Sequence, residues 1–239
     1  MYGYRARIGN AVAAVATEVY LIDFYKLVPG GVSLMLTTLP ISARSAVDVK
    51  SCLEMSRDAA KTMAECGADL VMLGGVPAKL DGGATLEDLL KKFENDIGVQ
   101  VSSSTTAQKN AFKALGARQV GTVHPFTAEH NPRHAGYLRE IFGLDPVAIH
   151  AGGRDFKTLG KIPIDCALEW GRALKQAHPE IDTLHFASPH WRVIDAIEPL
   201  EQELQVTVIT SLQAIAWESL RRTGVGDRIQ GYGRLLREF

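Results

Sequence analysis

Apolar residues fall into two alternating textures along this chain. Short apolar runs bounded by glycine and proline predict buried strands. Longer stretches with apolar residues every three or four positions predict amphipathic helices. Strands are expected at Ile8–Ala14, Val32–Thr38, Asp69–Leu73, Gly98–Val101, Gln119–His124, Pro146–His150, Thr183–Phe186 and Val206–Ile209. Between them the helical period is clearest where Thr85 and Asp88 open a helix with the stripe Leu86, Leu89, Leu90, Phe93 and Ile97. Other helices are expected over Leu21–Leu27, from a Ser45 cap to about Cys66, over Thr106–Leu115, from about Pro132 to Phe142, and from Pro163 to Ala177. Gly67 is expected as a left-handed stop, and Gly116 and Gly143 as the ends of two others. Pro199 is expected to break any helix running from Trp191, so a turn should come first and a helix open near Pro199. Ala16–Tyr20 reads as a strand-end loop, and Ala151–Lys161 as an irregular stretch suited to a lid.

Strands alternating with helices predict parallel sheets with helices on both faces. The layout also repeats. Strand Asp69–Leu73, a Gly74–Pro77 loop, a helix, a strand and the hydroxyl run Ser102–Thr106 match strand Thr183–Phe186, the Ala187–Trp191 loop, a helix, a strand and Thr210-Ser211. The fold class expected is therefore α/β: two pseudo-twofold-related halves, each a parallel sheet flanked by helices, with a cleft between them. Residues 1–117 form the first half, joined by the tail 217–239, and residues 118–216 form the second.

The bulk composition narrows the function. The 239 residues carry a formal net charge of −1, with 46% hydrophobic and 22% charged content. There is no basic footprint for nucleic acid and no apolar run long enough for a bilayer. The arginines of MYGYRARIG open the first strand and are not read as a leader. Cys52, Cys66 and Cys166 show no metal-ligand spacing, which predicts reduced thiols in a cytoplasmic chain with no metal.

Ligands in open parallel sheets bind beyond the carboxyl ends of the strands. That rule singles out Ser188 and His190, followed by Trp191, after one strand, and His124 and Phe126 after another. The hydroxyls Ser103, Ser104 and Ser211 stand after two more, with Thr17 and Glu18 after the first. Serine is a weak acid and needs a neighbouring base, whereas histidine titrates near neutrality. His190 and His124 are thus the candidates for moving protons, and the serine hydroxyls for holding an anion or capping helices.

Several segments resemble the maleate isomerases and arylmalonate decarboxylases of the Asp/Glu racemase superfamily. They are RARIGNAVA, TEVY, DFYKLVPGGVSL, GADLVMLGG, VSSSTTAQKNAFKALGARQVGTVHPF and, most specifically, Arg192–Leu220. The resemblance implies paired flavodoxin-like domains, no cofactor, and a small carboxylate held by loop N–H groups and hydroxyls while cysteines act on its α-carbon. On that pattern the first cysteine of the isomerases falls at Gly75, beside Val76, and the second at Ser188. The decarboxylases carry glycine at the first position and keep the second cysteine. The family's first-loop asparagine is replaced near Ala16, its tyrosine falls at Phe126, and Pro77 and Pro189 each lack an N–H.

The expected function is a cofactor-independent enzyme at the α-carbon of a small mono- or dicarboxylate. Gly75 in the first slot leans this toward one-sided proton delivery, as in a decarboxylase, over isomerisation. Ser188 and His190 are the expected catalytic pair. Gly75, Val76, Ser103, Ser104, His124, Phe126, Ser211, Thr17 and Glu18 are the expected substrate contacts. The alternatives are a serine hydrolase with Ser188 as nucleophile and His124 as base, and a carboxylate-binding protein without chemistry. A homo-oligomer is compatible with all three.

Overall fold

The structure is a computed structural model that describes residues 2–12, 18–39, 46–74 and 85–239, with 46–53 as backbone. It contains two four-stranded sheets, all parallel. The first comprises β1 (Ala6–Val12), β2 (Val32–Thr38), β3 (Leu70–Leu73) and β4 (Gln100–Ser103) in the order β2-β1-β3-β4. The second comprises β5 (Val120–His124), β6 (Pro146–Ala151), β7 (Thr183–Phe186) and β8 (Thr207–Thr210) in the order β6-β5-β7-β8. The two orders are the same doubly wound pattern.

Register matches the two halves residue by residue along β1-β3-β4 and β5-β7-β8. Gly9 pairs with Val71 in the first sheet and Gly121 with Leu184 in the second. Both glycines lie where a side chain presses on the central strand. A Cβ on Gly9 would come 2.8 Å from Met63 Sδ, and one on Gly121 would strike Ile181 Cδ1. Counting on from these pairs, Gly74 matches Ala187, and their N–H groups donate to Ala11 O at 2.7 Å and to Val123 O at 2.9 Å. By sequence count alone Gly75 then aligns with Ser188, and the register matches Ser103-Ser104 with Thr210-Ser211.

The chain divides into two compact units, neither continuous in sequence. The first holds Met1–Ala16, Val28–Ala107 and Glu218–Asp227; the second holds Thr17–Leu27, Gln108–Trp217 and Arg228–Phe239. In the first, α2 (Ala46–Glu65) and α3 (Leu86–Ile97) pack on the sheet through Ala60, Met63, Leu90 and Phe93. The Thr85 capping box is present: Thr85 Oγ1 accepts from Asp88 N, and the Asp88 carboxylate accepts from Thr85 N. In the second, α6 (Ile164–Ala177) and α7 (Ile194–Leu204) cover the sheet over Leu184, Phe186 and Val208. Helices α4 (Ser104–Leu115) and α8 (Ser211–Arg222) follow the last strand of each sheet.

Four expectations need correction. Helix α1 (Glu18–Lys26) begins inside the expected strand-end loop, because Val19, Tyr20, Asp23 and Phe24 already share one buried face. Pro199 lies inside α7, which is continuous from Ile194. The loss of one backbone bond is offset by burial of Ile194, Ala196, Ile197 and Leu200. The stretch 151–161 is anchored: Gly152, Arg154 and Gly153 donate N–H bonds to His124, Pro125 and Phe126 carbonyls, and a 3-10 turn follows over Phe156–Lys161. Finally, the tail splits. Residues 218–227 belong with the first unit, but α9 (Gly233–Glu238) packs on α7 and β8 of the second, burying Leu235 and Leu236. The proposed Ser45 cap lies outside the described residues.

Candidate active site

At the end of β7 the chain turns sharply through Ser188, which has φ +79°. That is left-handed backbone, which costs a non-glycine residue about 1–3 kcal/mol. The other described non-glycine residue with positive φ is Gln205, an ordinary left-handed helix cap. The turn is braced by Trp191, whose Nε1–H donates to Ala187 O at 3.0 Å, and whose ring packs on Phe186 and Trp170. Trp191 is buried packing, and it props the loop that carries Ser188 and His190.

His190 is buried and lies among aromatic rings. Tyr20 of α1 is 5.6 Å away between centroids, and Phe156 meets it edge-on at 6.3 Å. Phe156 in turn stacks parallel to Phe126 at 6.3 Å, and Phe126 lies 6.0 Å from His124 and 5.2 Å from His130. A continuous line of rings therefore joins the tips of β5 and β7, bringing Ser188, His190, Phe126 and His124 into one neighbourhood of the second unit. Sequence reasoning missed Tyr20 and Phe156. The signal for Tyr20 was its place on the buried stripe of α1. Phe156 lay in a stretch without periodicity.

His124 is fully buried. Its Nε2 lies 2.8 Å from Asn131 Oδ1 of α5 (Asn131–Tyr137), and its ring stacks on His134 at 4.2 Å. Burial lowers its pKa, the Asn131 bond partly opposes this, and His130 and His150 lower it further. Burial drives His134 down to about 2, with His124, His185, Arg133 and His130 adding to the effect. Both shifts favour the neutral ring. Behind them His185 Nε2 lies 2.9 Å from Gln108 Oε1 and Nδ1 lies 3.3 Å from Thr122 Oγ1. Burial and His124 hold its pKa at about 3.

The hydroxyls sort into caps and others. Ser103 Oγ accepts the Thr106 N–H at 3.0 Å, and Thr210 Oγ1 accepts the Gln213 N–H at 3.1 Å. Each is the cap of the following helix. Ser211 Oγ instead donates to Gln108 Oε1 at 3.0 Å, and Ser104 is the matching half-buried first residue of α4. Ser103 and Ser104 belong to the first unit and Ser211 to the second. In the first unit, Ser102 Oγ donates to the buried Glu218 carboxylate at 3.1 Å. Glu18 is the exposed first residue of α1. Thr17, Gly75 and Val76 lie outside the described residues. Among the described residues no group of three His, Cys, Asp or Glu side chains is placed to hold a metal ion, and no helix is long and apolar enough to cross a membrane.

A duplicated, doubly wound α/β protein with hydroxyl and imidazole groups at its strand tips is the class that this fold and site define. Within it, the model of the arylmalonate decarboxylase family matches residues 14–236. The chain belongs to that family. It is 26% identical over 188 residues to arylmalonate decarboxylase of Bordetella bronchiseptica, covering 78% of each chain. The fold is similar to that of unliganded arylmalonate decarboxylase, with a TM-score of 0.82 at 24% identity over 98% of this chain and 100% of that one. It is also similar to maleate cis-trans isomerase of Nocardia farcinica bound to TRIS, with a TM-score of 0.84 at 20% identity over 98% of each. This chain is accordingly an enzyme of the arylmalonate decarboxylase family.

Proposed function

We propose that the chain removes carbon dioxide from a small malonate-type acid without a cofactor, using His190 to return a proton to the α-carbon. The observation that carries this is Ser188, held in left-handed backbone at the tip of β7 with the buried His190 two residues on. Strain of this kind concentrates where a side chain must be aimed. In the proposed step the bond between the α-carbon and one carboxylate breaks. Its electron pair passes into an enolate of the remaining carboxylate, and carbon dioxide leaves. Ser188 Oγ–H hydrogen-bonds the developing oxyanion, and protonated His190 delivers its proton to the α-carbon. Ser188 is too weak an acid to make that transfer itself.

One-sided delivery suits this chain because a glycine at position 75 carries no acid for a second delivery. Ser104 and Ser211, in matching positions of the repeat, are the proposed carboxylate donors. Ser103 is a poorer one, since its oxygen already serves the Thr106 N–H. Gly75, Val76, Thr17 and Glu18 remain proposed contacts, and Phe126 is a proposed wall of the site. The ring contacts that link His124 to His190 run through Phe126 and Phe156, so the geometry favours His190 over His124 as the partner of Ser188 and disfavours a serine hydrolase.

The test is carbon dioxide release from phenylmalonate, run beside maleate isomerisation and acid release from simple esters. His190→Gln should cost at least about a hundredfold in kcat, and Ser188→Ala about a hundredfold. Decarboxylation that survives both substitutions would exclude these roles. Turnover of maleate in preference to phenylmalonate would favour an isomerase, and ester cleavage lost with Ser188→Ala a hydrolase. Binding without turnover of any of them would favour a carboxylate carrier.

A further inference from the structure

We propose that the outer face of α1 pairs antiparallel with the same face of a second copy of this chain, about a twofold axis at Ile22. Helix α1 buries Val19, Tyr20, Asp23 and Phe24. Its other side is apolar too: Leu21, Ile22 and Tyr25 are 39%, 57% and 50% exposed. A helix that is apolar all round is ordinarily covered on both sides. The other exposed large hydrophobics among the described residues are Tyr2 and Tyr4, which precede β1. Exposed apolar side chains in regular structure therefore concentrate on this one helix.

The stripe is complementary to itself. Glu18, Ile22 and Lys26 follow one another at four-residue spacing and form one ridge, and Leu21 and Tyr25 form the next. Ile22 is the midpoint of the first ridge. Turning α1 end for end about Ile22 sets Glu18 of each copy against Lys26 of the other, with the helix dipoles opposed. A parallel pairing would set Glu18 against Glu18. Lys26 Nζ lies 3.2 Å from the Asp195 carboxylate and 3.3 Å from that of Asp23. Asp23 is buried, so the surface groups at that end are Lys26, Asp195 and the exposed Arg192, whose charge acts on Asp23. That corner is net positive, and Glu18 at the other end is exposed and negative. Phe24 meets the Tyr25 ring edge-on at 5.8 Å, which lowers the entropy lost when Tyr25 is covered. Three part-exposed side chains offer less than the ~800 Å² that each partner of a stable complex buries. The pair is therefore of the weak, concentration-dependent kind. It does not depend on the reaction proposed above.

The experiment is sedimentation velocity of the full chain from about 5 μM to about 1 mM. The natural chain should pass from monomer to dimer within that range, and Ile22→Glu should remain a monomer throughout, its dissociation constant raised at least about a hundredfold. Thermal unfolding at the lowest concentration should be the same for both, because residue 22 is exposed in the single chain. Glu18→Lys places like charges opposite each other and should weaken the dimer about threefold at low salt, with the difference shrinking at high salt. Ile22→Cys, made with the three natural cysteines changed to serine, should cross-link to itself under mild oxidation faster than Lys113→Cys on α4. A natural chain that stays monomeric at the highest concentration would overturn the pairing. So would a dimer that survives Ile22→Glu, a tighter dimer in Glu18→Lys, or equal cross-linking at residues 22 and 113. Binding of the monomer to phosphatidylcholine vesicles in place of self-association, lost in Ile22→Glu, would overturn it in favour of a lipid surface.

Discussion

The Tyr20 ring lies 5.6 Å from the His190 ring and is tilted 34° to it, although one residue comes from near the start of the chain and the other from near its end. Helix α1 is held beside the β7 tip by this contact and by Lys26 Nζ, 3.2 Å from the Asp195 carboxylate at the start of α7. Tyr20 is fully buried, so Tyr20→Leu should destabilise the chain by about 1–3 kcal/mol in urea unfolding. It should also lower kcat through a looser His190. Tyr20→Phe keeps the ring and should lose less of either than Tyr20→Leu.

Gly152 is covered by the Trp170 indole, so an added Cβ would run into rigid ring atoms. Gly152→Ala should cost about 1–3 kcal/mol, because a rigid indole must shift to admit the methyl group. Gly136 in α5 meets nothing within 4 Å, and Gly136→Ala should be neutral or stabilising by about 0.5–1 kcal/mol. Thermal unfolding of the two variants side by side checks the contrast. Equal effects would show that the ring does not confine residue 152.

Glu201 holds the end of the chain. Its carboxylate accepts the Val208 N–H at 3.1 Å and the Arg234 N–H at 2.9 Å. Glu201→Ala leaves both donors without that acceptor and should cost about 2–5 kcal/mol. Burial raises the Glu201 pKa, only partly opposed by those two N–H bonds, so Glu201→Gln should be the milder change. Proteolysis of residues 228–239 in Glu201→Ala, compared with the natural chain, reports whether the clasp has opened.

Histidine burial sets the acid limit of stability. The folded-state pKa values of His134, about 2, and His185, about 3, lie below the ordinary value, mainly through burial. Below about pH 6.5 each such histidine takes up a proton in the unfolded chain and not in the folded one. Stability should therefore be full above pH 6.5 and fall toward pH 3, by up to about 1.4 kcal/mol per pH unit for each histidine. His134→Phe keeps a ring against His124 and should flatten that slope. Urea midpoints measured from pH 7.5 to 4 test it, and an unchanged slope in His134→Phe would refute the assignment.

Much of the fold was legible because it rests on period and punctuation. Val32–Thr38 and Thr183–Phe186 are strands at the residues where the apolar runs place them, and the Thr85 capping box follows from two residue types three positions apart. The repeat was legible because matching hydroxyls follow matching strands. Pro199 misled because local cost was weighed without the burial that α7 gains. The tail misled because its partners, Glu198 and Glu201, are acids on a distant helix that reveal themselves only once they accept Gly233 and Arg234 N–H bonds. At the site, residue types could be read but conformations could not. The left-handed turn at Ser188, the ring line through Phe156 and the Asn131 bond to His124 all depend on which loops the sheets bring side by side.

Because the first unit takes in Glu218–Asp227 and the second takes in Thr17–Leu27, neither can close from one contiguous stretch of chain. A split between residues 117 and 118 would divide both. Two separately expressed pieces should therefore gain their shape only when mixed, each supplying what the other lacks.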